Sequence, residues 1–114
     1  MYVTDIGNNR VERFTGNGVF VGQCGSLGNV DGQFYNPTGM TVQFPQGIVY
    51  VADTGNSRIQ EFTNDGKFIN KWSINTPTGT VDNIGLDVNS NGTIYWTDRA
   101  ADQVLTISST APRP

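Results

Sequence analysis

The chain of 114 residues contains no histidine. That absence removes the commonest general base and the commonest zinc ligand together. Cysteine is almost as scarce: Cys24 is alone, so no disulfide can form within the chain. Without a neighbouring base to draw off its proton, Cys24 reads as a small buried hydrophobe. Charge is thin as well, with 15% charged residues and a net charge of -3. The basic side chains are scattered among acids rather than gathered in a stripe, which speaks against a nucleic-acid partner held by its phosphates. No apolar run approaches the ~20 residues that would span a bilayer. The opening MYVTDIGNNR has neither the basic nor the apolar region of a signal peptide. Helical periodicity with caps is missing throughout, and so is a G-x-S-x-G elbow; Ser57 and Ser73 have no partner base. The run Gly25-Ser26-Leu27-Gly28 is not followed by a helix and is no phosphate cradle.

What the sequence has instead is repetition. Tyr2-Val3-Thr4-Asp5 returns 48 residues later as Tyr50-Val51-Ala52-Asp53, and 45 residues after that as Tyr95-Trp96-Thr97-Asp98. Phe14-Thr15-Gly16-Asn17-Gly18-Val19-Phe20 aligns without a gap on Phe62-Thr63-Asn64-Asp65-Gly66-Lys67-Phe68. Strand formers such as Ile48-Val49-Tyr50-Val51 alternate with turn signals, Asp65-Gly66 and Asn91-Gly92, which predict type I′ hairpins. Ile59 and Phe62 point to opposite faces of one strand, as do Val11 and Phe14, so each sheet is expected to be covered on both sides. Four-stranded sheets stacked at a period of ~45 residues are blades of an all-β propeller.

The second repeat, GQFYNPTGM followed by VYVADTGNSRIQEFTNDGKF, resembles an NHL repeat through G-Q-F, P-x-G and D-x-G-N-x-R-I in that order. The first repeat resembles the family from its second strand onward. The third departs from it, with Gln103 where the Arg should stand, and its IYWTD is similar to the YWTD propellers. The resemblance implies four-stranded antiparallel blades, roughly two and a half of them here, in a ring that the family typically builds from six. The expected organisation is a propeller segment over 1–107: a partial blade at 1–23, a complete blade at 37–73 and a partial blade at 80–107. Residues 108–114 form a Ser/Thr/Pro-rich tail or linker. Fewer than three blades would leave two broad apolar faces uncovered, so the chain is expected to be part of a longer polypeptide, the alternative being a ring closed by several copies.

Is D-x-G-N-x-R chemistry or architecture? A catalytic group is needed once, whereas this set occurs as Asp5, Gly7, Asn8, Arg10 and again as Asp53, Gly55, Asn56, Arg58, with Asp98 keeping the acid alone. The motif is therefore read as structural. Its carboxylate should accept from backbone N–H groups of the turn that follows, its Gly and Asn should take positive φ, and its Arg should reach back to the Asp or to carbonyls of the adjacent blade. For metal, Asp82, Asn83 and Asp87 offer oxygens near one inner strand, fewer than the 6–8 that calcium takes, so Asn83 and Asp87 are weak candidates for a Ca²⁺ ligand. Asn91-Gly92-Thr93 is a glycosylation sequon on a turn. Tyr2, Tyr50, Tyr95, Trp72 and Trp96 are expected to pack between blades, and Phe34 and Tyr35 to be exposed in a loop as a contact site. These readings favour a non-catalytic scaffold for protein or ligand binding or for assembly, extracellular or at the cell surface. Its partner would be a protein or further blades. The alternative is a calcium-type propeller hydrolase or lyase with most of its site elsewhere.

Overall fold

The computed structural model describes residues 2–43, 47–74, 85–89, 93–98 and 103–108. Among the described residues ten antiparallel strands form three sheets. The first sheet orders β1 (Tyr2–Asp5), β2 (Arg10–Phe14) and β3 (Phe20–Cys24) side by side. The second has four strands in sequence order: β4 (Pro37–Gln43), β5 (Ile48–Asp53), β6 (Arg58–Phe62) and β7 (Phe68–Ser73). The third comprises β8 (Gly85–Val88), β9 (Thr93–Asp98) and β10 (Gln103–Ser108). Among the described residues there is no α-helix, only two single 3-10 turns, Ile6–Asn8 and Thr54–Asn56.

The sheets stack because β5 and β6 carry apolar side chains on both faces. Tyr50, Ala52 and Ile59 turn one way, meeting Trp72, Ile74, Ile94 and Trp96 between the second and third sheets. Val49, Val51 and Phe62 turn the other way, onto Val11 of the first sheet and Phe34 of the loop between sheets. Side chains such as Ile59 and Phe62 are each worth about 1.5–3 kcal/mol on full burial. A strand that is apolar on one face alone could not build both layers.

Three expectations are corrected here. The turn Thr63-Asn64-Asp65-Gly66 is not type I′, because Asp65 does not take positive φ; only Gly66 does, at φ 90°. Gly66 N–H donates to the Thr63 carbonyl at 3.0 Å and Thr63 N–H to the Lys67 carbonyl at 2.8 Å, a turn closed by a glycine bulge. The first sheet repeats it, with Gly18 at φ 84°. Phe34 is not exposed but fully buried, 0% accessible, beside Phe62 with ring centroids 5.6 Å apart. Tyr95 does not pack between sheets; it is 39% exposed. Asn91 and its turn, Asn83 and the tail at 109–114 lie outside the described residues.

Candidate functional site: a loop held in a polar cradle

Residues 25–36 join the first and second sheets, and the second D-x-G-N-x-R set holds them. Asp53 ends β5 with 0% exposure, in a position where a bare carboxylate would be prohibitively desolvated. Its two oxygens are met by four donors. Oδ1 accepts from the Tyr35 N–H at 2.7 Å, and Oδ2 from Arg58 Nε at 2.7 Å, Asn56 Nδ2 at 2.9 Å and Gln60 Nε2 at 3.1 Å. The expected donors, backbone N–H groups of the following turn, are replaced by Tyr35 and three side chains.

Arg58 continues the network into the loop. Nη1 donates to the Asn29 carbonyl at 3.0 Å, and Nη2 to those of Val30 at 2.9 Å and Gln33 at 2.8 Å. A planar guanidinium presents its donors in a fixed fork, so one side chain can gather three carbonyls that a lysine could not. Gln60 adds a matched pair, donating to the Gln33 carbonyl at 2.7 Å and accepting from the Gly32 N–H at 2.9 Å. Asn56 Nδ2 also reaches the Gly28 carbonyl at 2.8 Å. Losing one partner of so buried an ion pair leaves the other charge stranded, generally a cost of about 3–5 kcal/mol.

The glycine of the motif has a different task from the one expected. Gly55 does not adopt positive φ; that conformation falls on the next-but-one residue, Ser57 at φ 52°, and on its counterpart Asn9 at φ 52°. Gly55 is needed for close approach. Its N–H donates to the Tyr35 carbonyl at 2.7 Å, and a Cβ there would lie 2.4 Å from that same oxygen. Tyr35 is thus pinned through both its N–H and its C=O. Gly25, at φ 100°, leaves the space that the Phe34 ring fills.

With its backbone fixed and Phe34 buried as an anchor, the loop turns other side chains outward. Leu27 is 64% exposed, Val30 58% and Tyr35 55%. Tyr35 is legible in the sequence as a loop aromatic, Leu27 and Val30 less so. Their signal was present: two aliphatic residues within the glycine-rich run 25–32, where strand burial could not claim them.

The first motif copy is looser. Asn8 Nδ2 donates to Asp5 Oδ2 at 2.9 Å, and Arg10 Nε stands 3.4 Å from the same oxygen, with side chains 33% and 28% exposed for Arg10 and Asp5. Arg10 also pairs with Glu12 at 3.2 Å. The Asn8 hydrogen bond foremost, then one with Glu12, and the nearby Arg10 charge hold the Asp5 carboxyl below its ordinary range. A Cβ at Gly7 would meet nothing within 4 Å. In the third copy Asp98 closes β9, and its side chain lies outside the described set.

Elsewhere, the weak metal candidate Asp87 is exposed on β8, where its Oδ1 accepts from the Val88 N–H at 2.8 Å. Among the described residues no three Asp, Glu or Cys side chains gather closely enough to hold a metal ion. A cleft of about 270 Å³ between the first sheet and the β6–β7 turn is lined by Arg13, Cys24, Phe62, Asn64 and Asp65 among others. Burial there pushes the Cys24 thiol up, with Arg13 only partly opposing. No helix among the described residues is long and apolar enough to cross a membrane.

Comparison with known proteins places this geometry. The family model described as "NHL repeat" matches residues 34–62, the stretch from the loop anchor Phe34 through β6. Among solved structures, one titled "Streptogramin B lyase structure" superposes on 97% of this chain at a TM-score of 0.64 and 17% identity. The chain spans 37% of the length of that structure. At that identity the likeness is one of fold. No curated protein matches the chain.

Proposed function

The chain carries an NHL repeat in a β-propeller fold, and on that premise we propose that it is a non-catalytic binding scaffold whose contact face is the loop at 25–36. One observation carries this reading: Leu27, Val30 and Tyr35 are each more than half exposed on a backbone locked by the Asp53–Arg58 network. Apolar side chains on a preorganised loop lose little entropy on binding, which is where affinity is gained. The partner is a protein, and the low charge density suits an extracellular or cell-surface setting better than a nucleic-acid one.

The reading is tested by placing a photoreactive side chain at Leu27 and, as control, at exposed Asn17 of the β2–β3 turn. The expected result is one polypeptide captured from Leu27 and not from Asn17. Its affinity, measured calorimetrically with the purified partner, should fall at least about tenfold in Tyr35→Ala, which is ~1.4 kcal/mol. Equal capture from both positions, or an unchanged affinity, would overturn it. A propeller hydrolase or lyase is the competing reading and rests on the fold likeness alone. It would gain support from calcium bound with Asp87 or Asn83 in its shell, so a calorimetric calcium titration weakened by Asp87→Asn would favour it.

A further inference from the structure

We propose that the cleft between the first sheet and the β6–β7 turn binds a small aromatic carboxylate, its ring lying over Cys24 and its carboxylate on Arg13. The neighbouring layer supplies the measure. A shift of 48 residues carries Tyr2 to Tyr50, Arg13 to Glu61, Gly22 to Asn70 and Cys24 to Trp72. Strand pairing follows the shift: Val11 faces Cys24 as Ile59 faces Trp72, and Arg13 faces Gly22 as Glu61 faces Asn70. Between the second and third sheets Trp72 fills its place, 4% exposed, with its ring centroid 6.4 Å from that of Tyr50. Between the first and second sheets the same place holds a thiol beside a glycine, and about 270 Å³ stays open next to Tyr2. An apolar cavity of about 150 Å³ is enough to take up benzene.

The opening follows from these two small side chains. β3 is the outer strand of its sheet as β7 is of the next, so the two layers match strand for strand where the cleft lies. Val11, Val49 and Phe62 give it an apolar wall for a ring. Its polar end selects the charge. Arg13 stands where the next layer has Glu61, and its Nη1 donates to the Asn64 carbonyl. Among the described residues no carboxylate forms an ion pair with Arg13. Asp65, the acid on the facing turn, accepts from Thr63 Oγ1 instead. A guanidinium has five donors in a planar fork that fits a carboxylate, so Arg13 retains donors for a ligand.

The experiment titrates the full chain with indole-3-acetate, whose ring is that of the Trp72 side chain. Amide NMR should show saturable shifts at Gly22 and Gly66, with the loop at 25–36 unmoved. Indole-3-acetamide, which keeps the ring and loses the charge, should bind at least tenfold more weakly, and Arg13→Gln should lose the same factor for the acid alone. Cys24→Trp should fill the cleft from within and abolish binding. Alkylation of Cys24 by iodoacetamide gives a reading on the unaltered protein, and saturating indole-3-acetate should slow it at least tenfold. Absence of shifts up to the solubility of the probe would overturn the proposal. So would equal binding of acid and amide, an alkylation rate indifferent to the probe, or full binding by a folded Cys24→Trp variant.

Discussion

At the scale of single residues, two glycines with the same place in the motif carry opposite expectations. A methyl on Gly55 would lie 2.4 Å from the Tyr35 carbonyl oxygen, and that oxygen is backbone, tied down by hydrogen bonds on either side. Gly55→Ala should therefore destabilise the protein by about 1–3 kcal/mol, in the manner of an overpacked core. At Gly7 the same methyl meets nothing within 4 Å, so Gly7→Ala should leave stability unchanged or raise it slightly by restricting the unfolded chain. Urea denaturation of the two variants decides it, and equal losses would contradict the close-approach role. The sequence announced that a glycine was needed at both places. It did not announce why, because Gly55's neighbour sits 20 residues upstream and comes into contact only through the fold. The positive φ of the motif likewise falls later than a local reading places it, on Ser57 and Asn9 rather than on the Gly and Asn before them.

The elements show a similar division between what is local and what is not. Strands and their pairing are readable because β5 and β6 spell their two-faced burial within a few residues, Val49 against Tyr50 and Ile59 against Phe62. Phe34 and Tyr35, adjacent aromatics in one loop, could not be told apart, since burial of one is decided by Gly25 and Phe62. The β6–β7 turn has its own local logic. Thr63 Oγ1 donates to the Asp65 carboxylate and accepts from the Lys67 N–H at 3.0 Å. That hydroxyl bond, the largest of several causes, keeps Asp65 below the ordinary carboxylate value of 3.8. A carboxylate depressed in the folded state stabilises it above the unfolded pKa, and the contribution fades as pH falls through the lower folded value. Thr63→Ala should accordingly lower the urea midpoint at neutral pH, and the gap to the wild type should narrow as pH drops below about 4. A gap that stays constant down to pH ~2 would show that the hydroxyl acts only on the Lys67 amide.

For the whole molecule, the stacking of three sheets through two separate apolar layers makes one strand, β6, answer to both neighbours. Ile59 and Phe62 are each at most 1% exposed, three positions apart, and belong to different layers. Truncating either to alanine should cost about 2–5 kcal/mol, so stability alone would not distinguish them. The two tryptophans do. Trp72 and Trp96 both sit in the layer with Ile59, between the second and third sheets, and neither contributes to the layer with Phe62. Ile59→Ala should therefore let water reach the indoles and shift native-state emission to the red. Phe62→Ala should leave that emission in place while speeding amide exchange in β2, whose Val11 packs against Phe62. The two layers are then independent if the double variant shifts emission no further than Ile59→Ala alone. Emission that moves equally in both single variants would mean that the layers yield together, with β6 acting as one rigid strut rather than as a partition between two cores.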